Sequence, residues 1–444
     1  MIDSYPVGGR TPGSASANVI YQTGAVPEGE ELVTANDEFF QKKQAAAVLK
    51  HGILKRYPTV FSTMTGSTSQ QGRVVYLDGY AGPGRYEPEG NETEGAPGSP
   101  LLAMQTADRV ASWQRAVDCI FIERNRKYAE NLKALLRAEA PPSLSYQVMA
   151  GDVADRLDEA LAIAGDSPLL AFLDPFGTAL PYVDLVQKLL RRGRDEPTEV
   201  LLNLNLEMVW RVGGLLTEDG IEQEKSSGNA ATLARLDDFL GDQWWRATFR
   251  AARDSTKPGA AARAAREVAD TFCRRVFQDT GYSSFPVEIR RRPGHNPLFL
   301  LILFYRHPAA PFKFAEAASK ANEEWRHYHR RLDLAEELER LRNGETLGLF
   351  DDNDLTALSD QEAKSIEKQL EQDWVVAIVE NIRRLVSEKP AVDIGDHVTP
   401  IYGTTLGLAR PMHIRRAWDA LADEAVVRPR VRSKDLRTQT IYRR

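Results

Sequence analysis

The sequence predicts a doubly wound α/β domain, and three observations lead there. Five short, almost wholly apolar runs recur between residues 74 and 205, amphipathic helix-like stretches separate them, and each run ends on polar residues or glycine. Near-continuous apolar strands are those of a parallel sheet covered on both faces. Strands alternating with helices imply right-handed crossovers and helices on both faces of the sheet. A ligand of such a sheet lies at the carboxyl ends of its strands.

Residues 1–30 hold Gly, Pro and Ser with few bulky groups in periodic positions, and read as a flexible amino-terminal arm. A helix pattern begins near Asn36 and runs to about Phe61. The first strand, Val74–Asp78, ends in a glycine-rich turn. The second is Asp118–Arg124, followed by a helix through Arg137. The third is Leu144–Asp152, with a helix to Ala164, and the fourth is Leu169–Asp174, with a helix to Arg192. Glu199–Asn205 is the fifth. Residues 206–280 read as a helical insertion. Pro286–Arg292 and Leu298–Arg306 are further strand candidates, closing the sheet as an antiparallel hairpin around Pro293, Gly294 and His295. A helix from about Phe312 to Arg342 completes a domain spanning residues 31–342.

Residues 343–371, acidic around Phe350–Leu355, read as a linker. Residues 372–444 read as a separate small unit with helices at Trp374–Val386 and Met412–Leu421. In it AVVRPRVR and TQTIYRR form two short strands joined by a polar turn. Helix, helix and basic hairpin suggest a winged helix-turn-helix. From Arg410 to Arg444 ten Lys and Arg stand against four Asp and Glu, in a chain whose formal net charge is −6. This local excess suits nucleic acid as a partner. A dimerisation or core-packing module, or a protein adaptor, are the other readings.

At 444 residues and 42% hydrophobic composition, the chain is long enough for a sizeable core and two or three domains. Cys119 and Cys273 stand far apart in apolar runs and read as reduced core residues, which fits a cytoplasmic location. The seven histidines show no metal-ligand spacing, so no metal site is expected. No apolar run approaches the length of about 18 residues that would suggest a membrane span.

The chemistry concentrates at the strand ends. Asp78, Gly79, Tyr80, Gly82 and Gly84 lie in a loop directly after the first strand, where glycines let the backbone turn sharply and approach a ligand. The loop is not a P-loop, because no Gly-Lys-Ser/Thr follows. Glu123 ends the second strand, where a carboxylate can accept two hydrogen bonds from a ribose diol; an exposed strand-end charge is the plainer reading. Gly151–Asp152 ends the third strand and suits the exocyclic amine of an adenine. Asp174, Pro175, Phe176 and Gly177 end the fourth. Together these ends make a pocket for an adenosine-bearing cofactor, and the lack of a prescribed phosphate-binding Lys or Arg favours S-adenosylmethionine (SAM) over NAD or ATP. Asn203 and Asn205 end the fifth strand on one face of it, to hydrogen-bond substrate or cap the next helix.

The segments LDGYAGPG, IE, GD and LDPFG resemble successive motifs of class I SAM-dependent methyltransferases. The loop, with Gly98–Ser99–Pro100 and LDPFG, is similar to the three-Cys-motif partner family. Ala47–Leu54 (AVLKHGIL), Tyr76–Tyr86 and Pro97–Ala103 also resemble the 23S rRNA adenine-N6 methyltransferases over roughly residues 45–205. The resemblance implies that Lys50, His51, Tyr80, Ser99, Glu123 and Asp152 serve the cofactor and Asp174 serves catalysis. A solvated helix face is the other reading of Lys50 and His51. Where the adenine-N6 enzymes have D-P-P-[FY], this chain has Asp174–Gly177, a form more like the tRNA guanine-N2 methyltransferases, so the base is left open. The expected activity is methyl transfer to an exocyclic amine of a nucleobase in RNA or DNA. Asp174 and the Pro175 carbonyl would accept hydrogen bonds from the amine, and Phe176 would stack on the base or pack in the core. The alternative is a catalytically silent SAM-binding partner of a three-Cys-motif, radical-SAM-like protein.

Overall fold

The computed structural model describes residues 45–88, 94–175, 177–178, 180–193, 196–216, 227–253, 259–343 and 352–444. The amino-terminal arm at 1–30 and Phe176 lie outside the described residues. The described residues open on two short helices, α1 (Ala45–Leu54) and α2 (Tyr57–Thr65), where one helix to about Phe61 was expected; its expected start near Asn36 lies outside the described residues. The chain breaks between them at Lys55 and Arg56, and Pro58 sits in the first turn of α2, where its missing N–H costs nothing.

The sheet follows. Strands β1 (Arg73–Asp78), β2 (Ala116–Glu123), β3 (Tyr146–Ala150), β4 (Leu169–Leu173) and β5 (Thr198–Asn205) are mutually parallel. Between them run α3 (Ser99–Ala111), α4 (Arg126–Glu139) and α5 (Val153–Ala164), and a π-helical segment, Leu185–Leu190, connects β4 to β5. After β5 come the helices α6 (Leu206–Gly213), α7 (Ser227–Leu240), α8 (Trp244–Arg253) and α9 (Ala260–Thr280). Strands β6 (Ser283–Arg290) and β7 (Pro297–Tyr305) form the expected antiparallel hairpin, and β7 pairs antiparallel with β5. The order is β3-β2-β1-β4-β5-β7-β6. It reverses between β1 and β4, which opens a crevice above their carboxyl ends.

Alternate residues of each central strand enter two separate apolar layers, the result of a two-residue side-chain period. Val74 and Tyr76 of β1 join one layer, with α1 to α4; Val75 and Leu77 join the other, with α5 and the helices α6 to α9. The central strands β1 and β4 are therefore apolar through most of their length, because both of their faces are covered.

After α10 (Ala310–Asn343), residues 352–371 are not a linker. They are the first half of one helix, α11 (Asp352–Glu388), whose sequence contains neither Pro nor Gly. Glu367 ties it to α10 by accepting bonds from Arg326 and Arg330. Beyond α11 lie β8 (Ala391–Asp393), α12 (Val398–Tyr402), α13 (Pro411–Asp423) and β9 (Thr440–Tyr442). The expected hairpin of AVVRPRVR and TQTIYRR does not form as such. Strand β9 pairs instead with β8, and only Val427 bridges across to Arg443. The core of this unit, including Trp374, Ile401, Tyr402 and Trp418, is continuous with the apolar layer that holds α1 to α4. Tyr402 packs edge-on against Phe285 of β6, and Asn322 of α10 donates to the Gly407 carbonyl. Among the described residues no helix is long and apolar enough to cross a membrane.

Candidate functional site

The crevice between β1 and β4 holds a cavity of about 180 Å³. Lys50, His51, Tyr80, Gly84, Ser99, Asp174 and Pro175 all line it. Elements far apart in sequence thus bring most of the expected residues together: α1, the loop after β1, the start of α3 and the end of β4.

The loop is pinned on three sides. The Gly79 amide donates to the Phe172 carbonyl on β4 (3.0 Å), and the Ala81 amide to the Ile122 carbonyl on β2 (3.0 Å). The Gly82 amide donates to Glu123 Oε2 (2.8 Å). Gly84 has φ +92°, a conformation that side-chain-bearing residues rarely adopt, and an added Cβ would stand 2.6 Å from Leu135 Cδ2. The Gly98 amide then donates to the Gly84 carbonyl (2.8 Å), which sets Ser99 at the start of α3 beside the loop.

Asp78 lies under this loop, fully buried. Its Oδ1 accepts from the Tyr80 amide (3.1 Å), while Oδ2 is buried without a hydrogen-bond partner among the described residues. Burial pushes its pKa up to about 7. The Ser99 hydroxyl and the Tyr80 amide pull against that rise, and the Asp174 and Glu123 carboxylates add to it. Glu123, at the end of β2, accepts from the Gly82 amide and, through Oε1, from the Asn125 amide (2.6 Å). Burial raises its pKa against these two bonds. Asp152 accepts from the Ala154 amide and caps α5. Asp78, Gly79, Gly82, Glu123 and Asp152 stand at the same sheet edge but outside the lining of the cavity. At about 180 Å³ the cavity is smaller than the roughly 300–1,000 Å³ usual for small-molecule sites.

Asp174 is the most constrained group in the cavity. Lys50 Nζ donates to Oδ2 and Asn203 Nδ2 to Oδ1, both at 2.6 Å. Lys50 is 4% exposed and His51 5%, so neither belongs to a solvated helix face. The Lys50 ammonium also lies 5.4 Å from the Phe299 ring centroid, and His51 Nε2 is 3.4 Å from the Tyr86 hydroxyl. The two asparagines of β5 divide the roles expected of them. Asn205 caps α6 by accepting from the Met208 amide (2.8 Å), and it also lines the cavity. Asn203, 1% exposed, orients Asp174. Sequence reasoning missed that hydrogen bond, and it missed Tyr86, Arg291 and Phe299 on the cavity wall. The signal for Asn203 in the sequence was its place, with Asn205, among the apolar residues at the end of the fifth strand.

No family model matches the chain, and no curated protein matches it.

Proposed function

We propose that the chain is a SAM-dependent methyltransferase acting on an exocyclic amine of a nucleobase in RNA or DNA. The observation that carries this reading is Asp174: a carboxylate at the switch point of the sheet, sharing one cavity with the glycine loop and held by two fixed donors. Each of its oxygens keeps a lone pair beyond those used by Lys50 and Asn203. An acceptor fixed before the reaction is what electrostatic preorganisation requires. An amine donating its N–H bonds to Asp174 and to the Pro175 carbonyl has its nitrogen lone pair localised and aimed at the methyl donor. Holding the two reactants together adds proximity.

The residues present fit SAM. Among the described residues Asp78 Oδ2 is a buried acceptor without a hydrogen-bond partner, beneath the glycine loop. Glu123 stands where a ribose diol would be met, and the glycine turn leaves room for close backbone approach. The bound cofactor would supply an electrophilic methyl group; everything else follows from the chain's own residues.

The carboxy-terminal unit supports a winged helix-turn-helix reading through its order of helices, strand and paired β9, and hence nucleic acid as partner. Its positive charge is partly spent internally: Arg410 and Arg416 pair with Glu371, and Arg430 with Asp419. Arg415 and Lys434 line a groove on its surface instead. Replacing both with Ala should weaken nucleic-acid binding and lower its salt slope by about one for each phosphate no longer neutralised. Unchanged affinity across a salt series would assign the unit to a protein-adaptor role. Point changes are the sound test, because deleting residues 372–444 would strip an apolar layer shared with the sheet.

The second reading is a catalytically silent SAM-binding partner of a three-Cys-motif protein. The 2.6 Å Lys50–Asp174 pair favours it, since the lysine already occupies one carboxylate oxygen. Asp174→Ala separates the two. Under the methyltransferase reading it reduces transfer by about two to three orders of magnitude while SAM affinity stays within a few-fold. A wild-type protein that binds SAM and transfers nothing to any nucleic acid supports the silent reading.

A further inference from the structure

A second cavity, of about 520 Å³, opens at the opposite edge of the sheet. Thr198 and Glu199 reach it from the start of β5, Tyr282 from just before β6, and Arg306 from just after β7. It therefore lies about one strand length, roughly 25 Å, from the first cavity. Its size is in the range of small-molecule sites.

Its floor holds one buried acid. Glu199 is 7% exposed, and the Tyr57 hydroxyl donates to its Oε2 at 2.7 Å. Among the described residues no other group hydrogen-bonds this carboxyl, so acceptor capacity is left over. Burial pushes its pKa up to about 7, and the Tyr57 bond opposes the rise. The walls are aromatic and apolar, with Tyr57, Phe61 and Tyr282 among them. The mouth is cationic. The Arg306 guanidinium stacks 4.3 Å from the Tyr282 ring centroid and donates to the Thr280 carbonyl (2.9 Å), which fixes its position. Lys313 and Arg437 stand with it, and α10 begins here, its amino end adding positive potential. Lys313 and Arg437 also line the groove that holds Arg415 and Lys434, so the basic mouth runs on along the carboxy-terminal unit.

An acid at the floor, aromatic walls and cations at the mouth match a planar ring that has an N–H edge and carries a phosphate. We propose that this cavity binds a mononucleotide, with the base edge on Glu199 and the phosphate against Arg306 and Lys313. Guanine is preferred over adenine, because its ring N–H and exocyclic amine lie side by side and can meet one carboxylate together. The same chemistry serves a free nucleotide and a base turned out of a single strand. The site does not depend on the methyltransferase reading.

Calorimetric titration of the full chain with GMP, AMP and inorganic phosphate tests it. GMP should bind, AMP about tenfold or more weakly, and phosphate alone more weakly still. Glu199→Gln and Arg306→Ala should each weaken GMP about tenfold. Glu199→Gln keeps a carbonyl for the Tyr57 hydroxyl, and melting curves confirm that both variants fold. A short single-stranded RNA with one guanine, binding more tightly than GMP and equally sensitive to Glu199→Gln, supports the site with a strand as its source. Weaker RNA binding supports it with free nucleotide as the source. No GMP binding at millimolar concentration overturns the proposal. So does equal affinity for GMP and AMP, or GMP affinity unmoved in both folded variants, which would place the nucleotide elsewhere.

Discussion

The two edges of the central sheet treat their acids in opposite ways. At the carboxyl edge, Asp174 is ionically paired with Lys50 and also held by Asn203. At the amino edge, among the described residues, Glu199 has only the neutral Tyr57 hydroxyl, and its pKa rises to about 7. The first arrangement fixes a charge in one direction. The second keeps a carboxyl close to neutrality with bonding capacity to spare. Asp78 lies at the carboxyl edge yet behaves like Glu199, with a raised pKa and one oxygen unpartnered among the described residues. The difference teaches that strand-end carboxylates at one edge are not a single class. Asp174 is finished by the protein's own residues, whereas Asp78 is suited to completion by a ligand.

A large stability effect is expected from breaking this contrast at Lys50. Lys50→Met leaves the Asp174 carboxylate without its cation. Stranding one member of a buried pair costs about 3–5 kcal/mol, and the part-exposure of Asp174 brings the expectation down to about 2–3 kcal/mol. Denaturant unfolding measures it; a loss below about 0.5 kcal/mol would mean that the pair is not formed in solution.

The amino edge should respond with the opposite sign. A carboxyl whose folded pKa is raised binds protons more tightly in the folded state. The stability tied to that proton is complete below about pH 4.5 and is lost as pH rises through about 7. Glu199→Gln should therefore be more stable than the wild type at pH 8, by up to about 3 kcal/mol, and lose most of that advantage by pH 5. Melting at several pH values gives the answer, and a pH-independent difference would contradict the buried, near-neutral carboxyl.

A backbone effect is smaller. Gly84→Ala forces a side chain into φ +92° and against Leu132 and Leu135, at a cost of about 1–3 kcal/mol. It should also weaken SAM binding, whereas Glu199→Gln should leave it alone. Equal effects of the two on SAM would erase the distinction between the edges.

The smallest change sharpens the comparison within the carboxyl edge. If Asp78 meets an ammonium as a carboxylate, SAM affinity should rise as pH increases through about 7, by about tenfold between pH 6 and 8. Asp78→Asn should flatten that profile. A flat wild-type profile would remove Asp78 from the ligand's ammonium.

Much of the fold was legible because its strands are apolar on both faces. All seven strands of the main sheet were located to within about two or three residues, as was the β6–β7 turn. Elements that owe their form to distant partners were not. The start of α11 reads as acidic linker text until Arg326 and Arg330 are seen holding Glu367. Strand β8 is three residues long and exists through pairing with β9. At the site, the loop and strand-end acids were visible as punctuation after apolar runs. The Lys50–Asp174 pair spans 124 residues and leaves no local trace. Glu199 was visible only as the first residue of a strand; nothing nearby in sequence marks the cavity beneath it.

Calorimetry of SAM binding to the wild type and to Glu123→Ala tests the central claim most directly. The carboxyl edge is read as an adenosine-cofactor site whose ribose meets Glu123 at the end of β2. The account predicts micromolar-order affinity, about −8 kcal/mol, in the wild type. It predicts a loss of roughly 1.5–3 kcal/mol in Glu123→Ala, from a charge-assisted bond to the ribose and a loosened Gly82 turn. No SAM binding by the folded wild type at millimolar concentration would contradict the cofactor assignment altogether.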